Sequence, residues 1–172
     1  MKALNKHGET NFYMKVFAKV LTVITIAALL LAGYVVWTAN AQVNAEGYQI
    51  KSAADNIDAF NNVISALRSG SDAVVGYETE GIGSAEDYVF VIYTIRVRNS
   101  DLVSIEWIDL ELENKPGDVL MMKPVVQDIP ALNQSILSYT LMLPRGAADY
   151  ERTATLSYYI YGHYKEVPLT LK

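Results

Sequence analysis

YVFVIYTIRVR, Tyr88 to Arg98, is the stretch on which the fold of this chain turns. Val89, Val91, Tyr93, Ile95 and Val97 recur at every second position, and Thr94, Arg96 and Arg98 end the opposite face. A period of two with one apolar face describes a half-buried strand. Asn99-Ser100-Asp101 has the composition of a turn. Leu102 to Glu113 (LVSIEWIDLELE) follows as a second strand, with Ile108, Leu110 and Leu112 facing in and Asp109, Glu111 and Glu113 facing out. Ile105 and Trp107 fall in the opposite phase, which calls for a bulge, or for burial on both sides, near Trp107.

The same alternation continues toward the carboxyl end. Lys115-Pro116-Gly117-Asp118 is a turn. Val119 to Met122 and Val125 to Ile129, interrupted by Pro124 and Pro130, suit edge strands, because proline has no N–H to give a ladder. Ser135 to Leu143 alternates Leu137, Tyr139, Leu141 and Leu143 against its other face, and Pro144-Arg145-Gly146 turns the chain. Thr153 to Tyr161 and Tyr164 to Leu171 pair as a hairpin across Gly162-His163, with Leu156, Tyr158 and Ile160 alternating against Tyr159 and Tyr161. Six or seven short strands with no helical crossover predict an antiparallel sandwich over residues 88–172, not a parallel α/β sheet. The chain's 12 tyrosines fall mostly in these strands, where a half-buried ring with a wet hydroxyl is favoured.

Upstream, the pattern is helical. Ser52 offers a cap with Asp55 three residues on, Ile57, Phe60, Ile64 and Leu67 recur at helical spacing beside Val63, and Gly70 supplies a left-handed stop after Arg68. Residues 53–87 are therefore an amphipathic helix, Ala53 to Ser69, and a loop with a short strand at Ala73 to Tyr77. The helix face either packs on the domain behind it or docks another membrane protein. Gly81-Ile82-Gly83 is no phosphate cradle, since Glu78, Glu80, Glu86 and Asp87 surround it and repel anions. Residues 38–52, small and polar from Thr38 to Gln49, read as a tether.

Val20 to Trp37 carries no charge over 18 residues, and residues 16–37 are long enough for a single transmembrane helix behind a tail of residues 1–15. Phe12, Tyr13 and Phe17 near one end, and Tyr34 and Trp37 near the other, match the headgroup levels. Lys2, Lys6, Lys15 and Lys19 precede the uncharged run that begins at Val20, and Thr38 to Tyr48 holds no basic residue, so the amino terminus is expected in the cytoplasm and the body outside. Ala39-Asn40-Ala41 fits a signal-peptidase site, but the apolar run exceeds the ~7–15 residues of a signal peptide's core, which favours a retained anchor. Tyr34 stands where a lipidated cysteine would follow Leu31-Ala32-Gly33, which rules out a lipoprotein.

Tyr93-Thr-Ile-Arg-Val-Arg-Asn99 with its turn and the strand Ser104 to Glu113, and Asp128-Ile-Pro-Ala131 leading into Ser135 to Leu143, resemble immunoglobulin-like or fibronectin-like sandwiches of bacterial envelope proteins. They are similar in particular to the late-embryogenesis-abundant (water-stress and hypersensitive-response) sandwich, in which a hydrophobic strand ends in Asn before a turn. The resemblance spans Tyr88 to about Leu171. It implies a noncatalytic module and assigns no functional residue. The expected fold class is thus all-β: an antiparallel immunoglobulin-like sandwich preceded by one transmembrane helix and a short amphipathic helix.

Composition narrows the chemistry. The chain has 172 residues, a net charge of −5 and no cysteine, which removes disulfides, thiolate metal sites and cysteine nucleophiles. Met1 to Trp37 holds four lysines against one glutamate, and the rest ten basic against eighteen acidic residues, so the body is no nucleic-acid binder. His7 and His163 are expected on opposite sides of the membrane, and no nucleophile elbow surrounds His163. Asp109, Glu111 and Glu113 lie ~6.8 Å apart along a strand, too extended for calcium, and read as a solvated face paired with Arg96 and Arg98. The sequon Asn133-Gln134-Ser135 matters only in a eukaryotic secretory pathway. No catalytic, cofactor-binding or metal-binding residue is assigned. The expected partners are the lipid bilayer and an envelope protein at the helix face or a sheet edge, in a binding or scaffolding role. The alternatives are a wall-glycan binder or wall-enzyme accessory gripping sugar with Trp107, Tyr158, Tyr159 and Tyr161, and a small subunit of a membrane complex using the helix face.

Overall fold

In the computed structural model, residues 6–71, 74–76, 81–113, 115–121, 128–147 and 150–172 are described. The chain divides into two units, residues 1–39 and 40–172. The first is a single helix, α1 (Lys6–Thr38), whose stretch Phe12–Thr38 has a mean hydropathy of 2.4 and is long and apolar enough to cross a membrane. Thr22, Thr25 and Thr38 donate their hydroxyls to carbonyls four residues back, so the apolar surface carries no unspent donor at these positions.

The second unit is built of antiparallel strands in two sheets. Five strands take the order β1 (Gln42–Ser52), β3 (Tyr88–Arg98), β6 (Gln134–Pro144), β5 (Val119–Met121) and β2 (Val74–Gly76); three more take the order β4 (Glu106–Leu112), β7 (Arg152–Ile160) and β8 (His163–Leu171). Alternation in β3 buries Val89, Val91, Tyr93, Ile95 and Val97; in β6 it buries Leu137, Tyr139, Leu141 and Leu143; in β7, Leu156, Tyr158 and Ile160. Polar bonds join the sheets. The Tyr93 hydroxyl donates to the Tyr150 carbonyl just before β7 (2.6 Å), and Arg152 forks onto Asp118, which precedes β5, at 3.1 and 3.2 Å.

Where Phe90 and Met142 point out of the opposite face of the large sheet, they meet a helix. α2 (Ile57–Ser69) follows a 3-10 turn, Ala54–Asn56, and lays Phe60 and Val63 on Phe90, Met142 and Val119 in a second apolar cluster. Ile64 and Leu67 pack at its margin, whereas Ile57 is exposed, so the buried stripe starts one turn later than the spacing implies. Ser52 is not the cap. Asn56 holds that position, and its side-chain amide donates back to the Ser52 carbonyl (2.8 Å). Gly70 stops the helix at φ 66° as expected, with the Gly70 and Ser71 N–H groups on the Leu67 and Ala66 carbonyls.

The segment read as a tether is a correction: Gln42–Ser52 is a full edge strand, paired with β3 from Gln42↔Arg98 to Ser52↔Val89. Its side chains are mostly exposed, so main-chain bonds hold it and no apolar period announces it. An extra residue at Glu46 bulges it between Ala45 and Gly47, and that carboxylate takes Arg96 (2.6 Å). Arg96 therefore pairs with β1, not with the acidic stripe of β4, because β3 and β4 belong to different sheets. The second strand is shorter than read, Glu106–Leu112, with Leu102 in a bend. Its bulge is present: Glu106↔Tyr159 is followed by Asp109↔Ser157, with Trp107 at φ 53°. The hairpin turn falls on Tyr161-Gly162, one residue earlier than read, with Ile160↔His163 as its last pair. Val74–Gly76 realises the short strand expected at Ala73 to Tyr77, whose two ends lie outside the described residues. Val125 to Gln127 and Pro124 also lie outside them, while Ile129 forms a bridge with Ile105.

Candidate functional site

The body has two distinct ends. At one, the chain enters: the Asn40 N–H reaches Asp101 Oδ2 (3.3 Å), the Ala41 N–H donates to the Tyr158 hydroxyl (2.9 Å), and that hydroxyl donates to Asn40 Oδ1. Burial pushes the Tyr158 hydroxyl above its ordinary pKa; the Ala41 N–H works against this and Asp101 adds to it. Asn99 ties the same end together. It is fully buried, its amide donating to the carbonyls of Val103 (2.7 Å), Pro130 (3.0 Å) and Ile129 (3.1 Å) while its side-chain oxygen accepts the Asp101 N–H (3.0 Å). The Asn that ends the first strand thus binds the loop after β3 to the loop before β6. At the far end, Arg145 donates to Ser52 (2.9 Å), and Gly117 lies against Pro144.

Exposed aromatic side chains gather near the entry end, on the outer face of the small sheet. Trp107, Tyr159 and Tyr164 occupy adjacent positions on β4, β7 and β8; Tyr159 pairs with both Glu106 and Tyr164. The Tyr159 and Tyr164 rings lie 5.4 Å apart at 57°. Glu106, Trp107, Tyr159 and Gly162 line a shallow cavity of about 330 Å³. The Tyr164 hydroxyl donates to Glu166 (2.7 Å), which raises its pKa.

Of the four aromatics named from sequence as a sugar grip, Trp107 and Tyr159 come together on this surface, Tyr161 sits in the hairpin turn, and Tyr158 is 0% exposed and spent on Asn40 and Ala41. Tyr164 was the one missed: it is Tyr159's neighbour across the hairpin because the turn falls at Tyr161-Gly162. The 57° tilt between the two tyrosines is not the coplanar row on which a sugar ring stacks. Asp109 and Glu111 face solvent as expected, and Glu113 accepts from the Thr153 hydroxyl (2.6 Å), which lowers its pKa. Among the described residues no group of three or more His, Asp or Glu could hold a metal ion. In the Gly81–Gly83 loop, Asp87 folds back on Ser84, and a Cβ at Gly83 would lie 2.8 Å from its carboxylate. Gly83 there admits a carboxylate, the opposite of an anion cradle. Neither a protein-family model nor a curated protein matches the sequence.

Proposed function

We propose that the chain is a single-pass membrane protein that presents an immunoglobulin-like β-sandwich on the outer face of a cell envelope, amino terminus inside, in a noncatalytic binding or scaffolding role. The observation that carries this reading is α1: Phe12–Thr38 is apolar and none of its most hydrophobic window is buried within the protein. Its 27 residues give about 40 Å of helix against a hydrocarbon core of ~30 Å. Lipid is the medium in which such a surface is stable. Lys2, Lys6, Lys15 and Lys19, all on the amino-terminal side of the uncharged run that begins at Val20, support the orientation.

The noncatalytic part rests on how the body spends its polar groups. Among the described residues, Asn99, Asp118 and Arg152 are the buried polar or charged ones, and each is engaged in tying loops or strands together. The contact surface for a protein partner is the edge of β1 with which no further described strand pairs, apart from Gly47, where the Lys172 carbonyl lies close. A role as a complex subunit through α2 has less behind it, since Phe60 and Val63 are covered by the protein's own sheet. The glycan alternative keeps Trp107 and Tyr159 of its four aromatics.

Protease added to intact cells tests the topology. The body is expected to be digested while an epitope at the amino terminus survives and stays in the membrane after alkaline carbonate washing. Release of the chain by carbonate, or protection of the body, would sink the reading.

A further inference from the structure

Three residues other than glycine have a left-handed backbone among the described residues: Trp107 (φ 53°), Leu132 (φ 57°) and Tyr161 (φ 51°). That conformation suits glycine, then Asn or Asp, and is unfavourable for large side chains. Here it holds two aromatics and a leucine, all at the entry end. Tyr161 makes the β7–β8 turn, the Leu132 N–H donates to the Asp101 carbonyl (3.1 Å), and Trp107 lies two residues beyond Ile105, which bridges Ile129. Leu102, beside Asp101, is 75% exposed; Trp107 is 74% and Leu132 69% exposed. Three large apolar side chains therefore project from loops and a bulge at one end, where hydration disfavours all three and backbone conformation disfavours Trp107 and Leu132. The far-end turns carry Pro116-Gly117 and Arg145-Gly146 instead.

Chain connectivity says what meets this surface. Only Ala39 separates Thr38, the last residue of α1, from Asn40, whose N–H is bound by Asp101 in the Leu102 loop. Two peptide units span at most ~8 Å. If α1 crosses a membrane, its end brings this loop to the lipid surface.

We infer that Leu102, Leu132 and Trp107 dock into the headgroup–acyl boundary of the bilayer that holds α1, an inference that rests on the anchor reading. Leucine adds apolar burial there, and the indole suits a layer that is apolar on one side and wet on the other. The left-handed positions aim Trp107 and Leu132 outward, and the bulge at Trp107 places it and Glu106 consecutively on the outer face.

The chain has no cysteine, so single cysteines can be introduced and spin-labelled in the full-length protein in vesicles of phosphatidylcholine and phosphatidylglycerol. L102C and L132C report the docking surface, V75C an exposed site on β2, and Leu29→Cys the middle of α1. Collision rates with lipid-soluble oxygen and a water-soluble nickel chelate then give depth. The expected result is a several-fold higher oxygen-to-nickel ratio at residues 102 and 132 than at 75, and a higher one still at 29. Labels at 102 and 132 as open to nickel as the one at 75, with 29 in lipid, overturn the docking and leave the anchor standing. A nickel-accessible label at 29 overturns both, and labels at 102 and 132 shielded from both reagents mean a protein cover, a second copy included, and overturn lipid docking. In a W37F background Trp107 is the sole tryptophan, and its quenching by brominated lipid should be lost in the double variant L102N/L132N, in which Asn also suits the left-handed backbone at position 132. Unchanged quenching in that folded variant counts against the proposal.

Discussion

Arg152 and Asp118 are the residues on which the joint between the sheets depends most. Both are almost fully buried, the guanidinium meets both carboxylate oxygens, and Asp118 also accepts the Lys115 N–H (3.1 Å). Removing one partner strands the other charge, so D118N or R152M is expected to cost ~3–5 kcal/mol in chemical denaturation. The double replacement D118N/R152M should cost less than the two single effects added, because no charge is left unpaired. Tyr139 sets an alkaline limit. Burial, with Asp109 adding to it, pushes its hydroxyl from 10.0 up to about 12. Below pH 10 folded and unfolded chains both keep this proton; between 10 and 12 only the unfolded chain gives it up, so stability falls by up to ~1.4 kcal/mol per pH unit. Denaturation curves at pH 9 and pH 11.5 should therefore differ less for Y139F than for the wild type. An equal difference would place the alkaline loss in other groups. None of these roles was legible in the sequence, where Asp118 is a turn residue and Arg152 a lone basic side chain; burial creates their importance.

Elements were legible in proportion to how much apolar surface they bury. β3, β6 and β7 each bury one face along their length, with Phe90 and Met142 added on the other face of β3 and β6 beneath α2, and their period of two announced them. α2 announced itself through Phe60, Val63, Ile64 and Leu67, although which flank faced the sheet was settled by Phe90 and Met142 beneath it. β1 was invisible, since it contributes hydrogen bonds to the edge of β3 and little side-chain burial. One residue within it bears testing. Gly47 has φ 113° at the bulge, a conformation strained for any side chain, although a Cβ would meet only the Lys172 carbonyl at 3.6 Å. G47A is thus expected to cost about 1–2 kcal/mol from backbone strain alone. Hydrogen exchange should localise the loss to β1 and its partner β3, and uniform loss across both sheets would contradict this account.

For the whole molecule, the proposal that α1 is retained as an anchor makes a mass prediction. Asn40 and Ala41, two residues of the signal-peptidase pattern, are built into the body through Asp101 and Tyr158, and a body starting at Gln42 would lack those bonds. Intact-mass measurement on membrane-extracted protein should give a chain that still contains the residues before Gln42; a mature chain beginning at Gln42 would refute retention. Read by itself, the chain determined an apolar helix, a short amphipathic helix and a run of alternating strands, because burial of side chains at a fixed period writes itself into composition. It also named Trp107 as the point of irregularity. Which strands became neighbours, that a polar tether was an edge strand, and that Leu102, Trp107 and Leu132 share the end where the chain enters were decided by tertiary structure. Those features rest on main-chain hydrogen bonds and on contacts between residues far apart in sequence, such as Asn99 with Pro130 and Tyr158 with Asn40, and no local pattern of side chains encodes them.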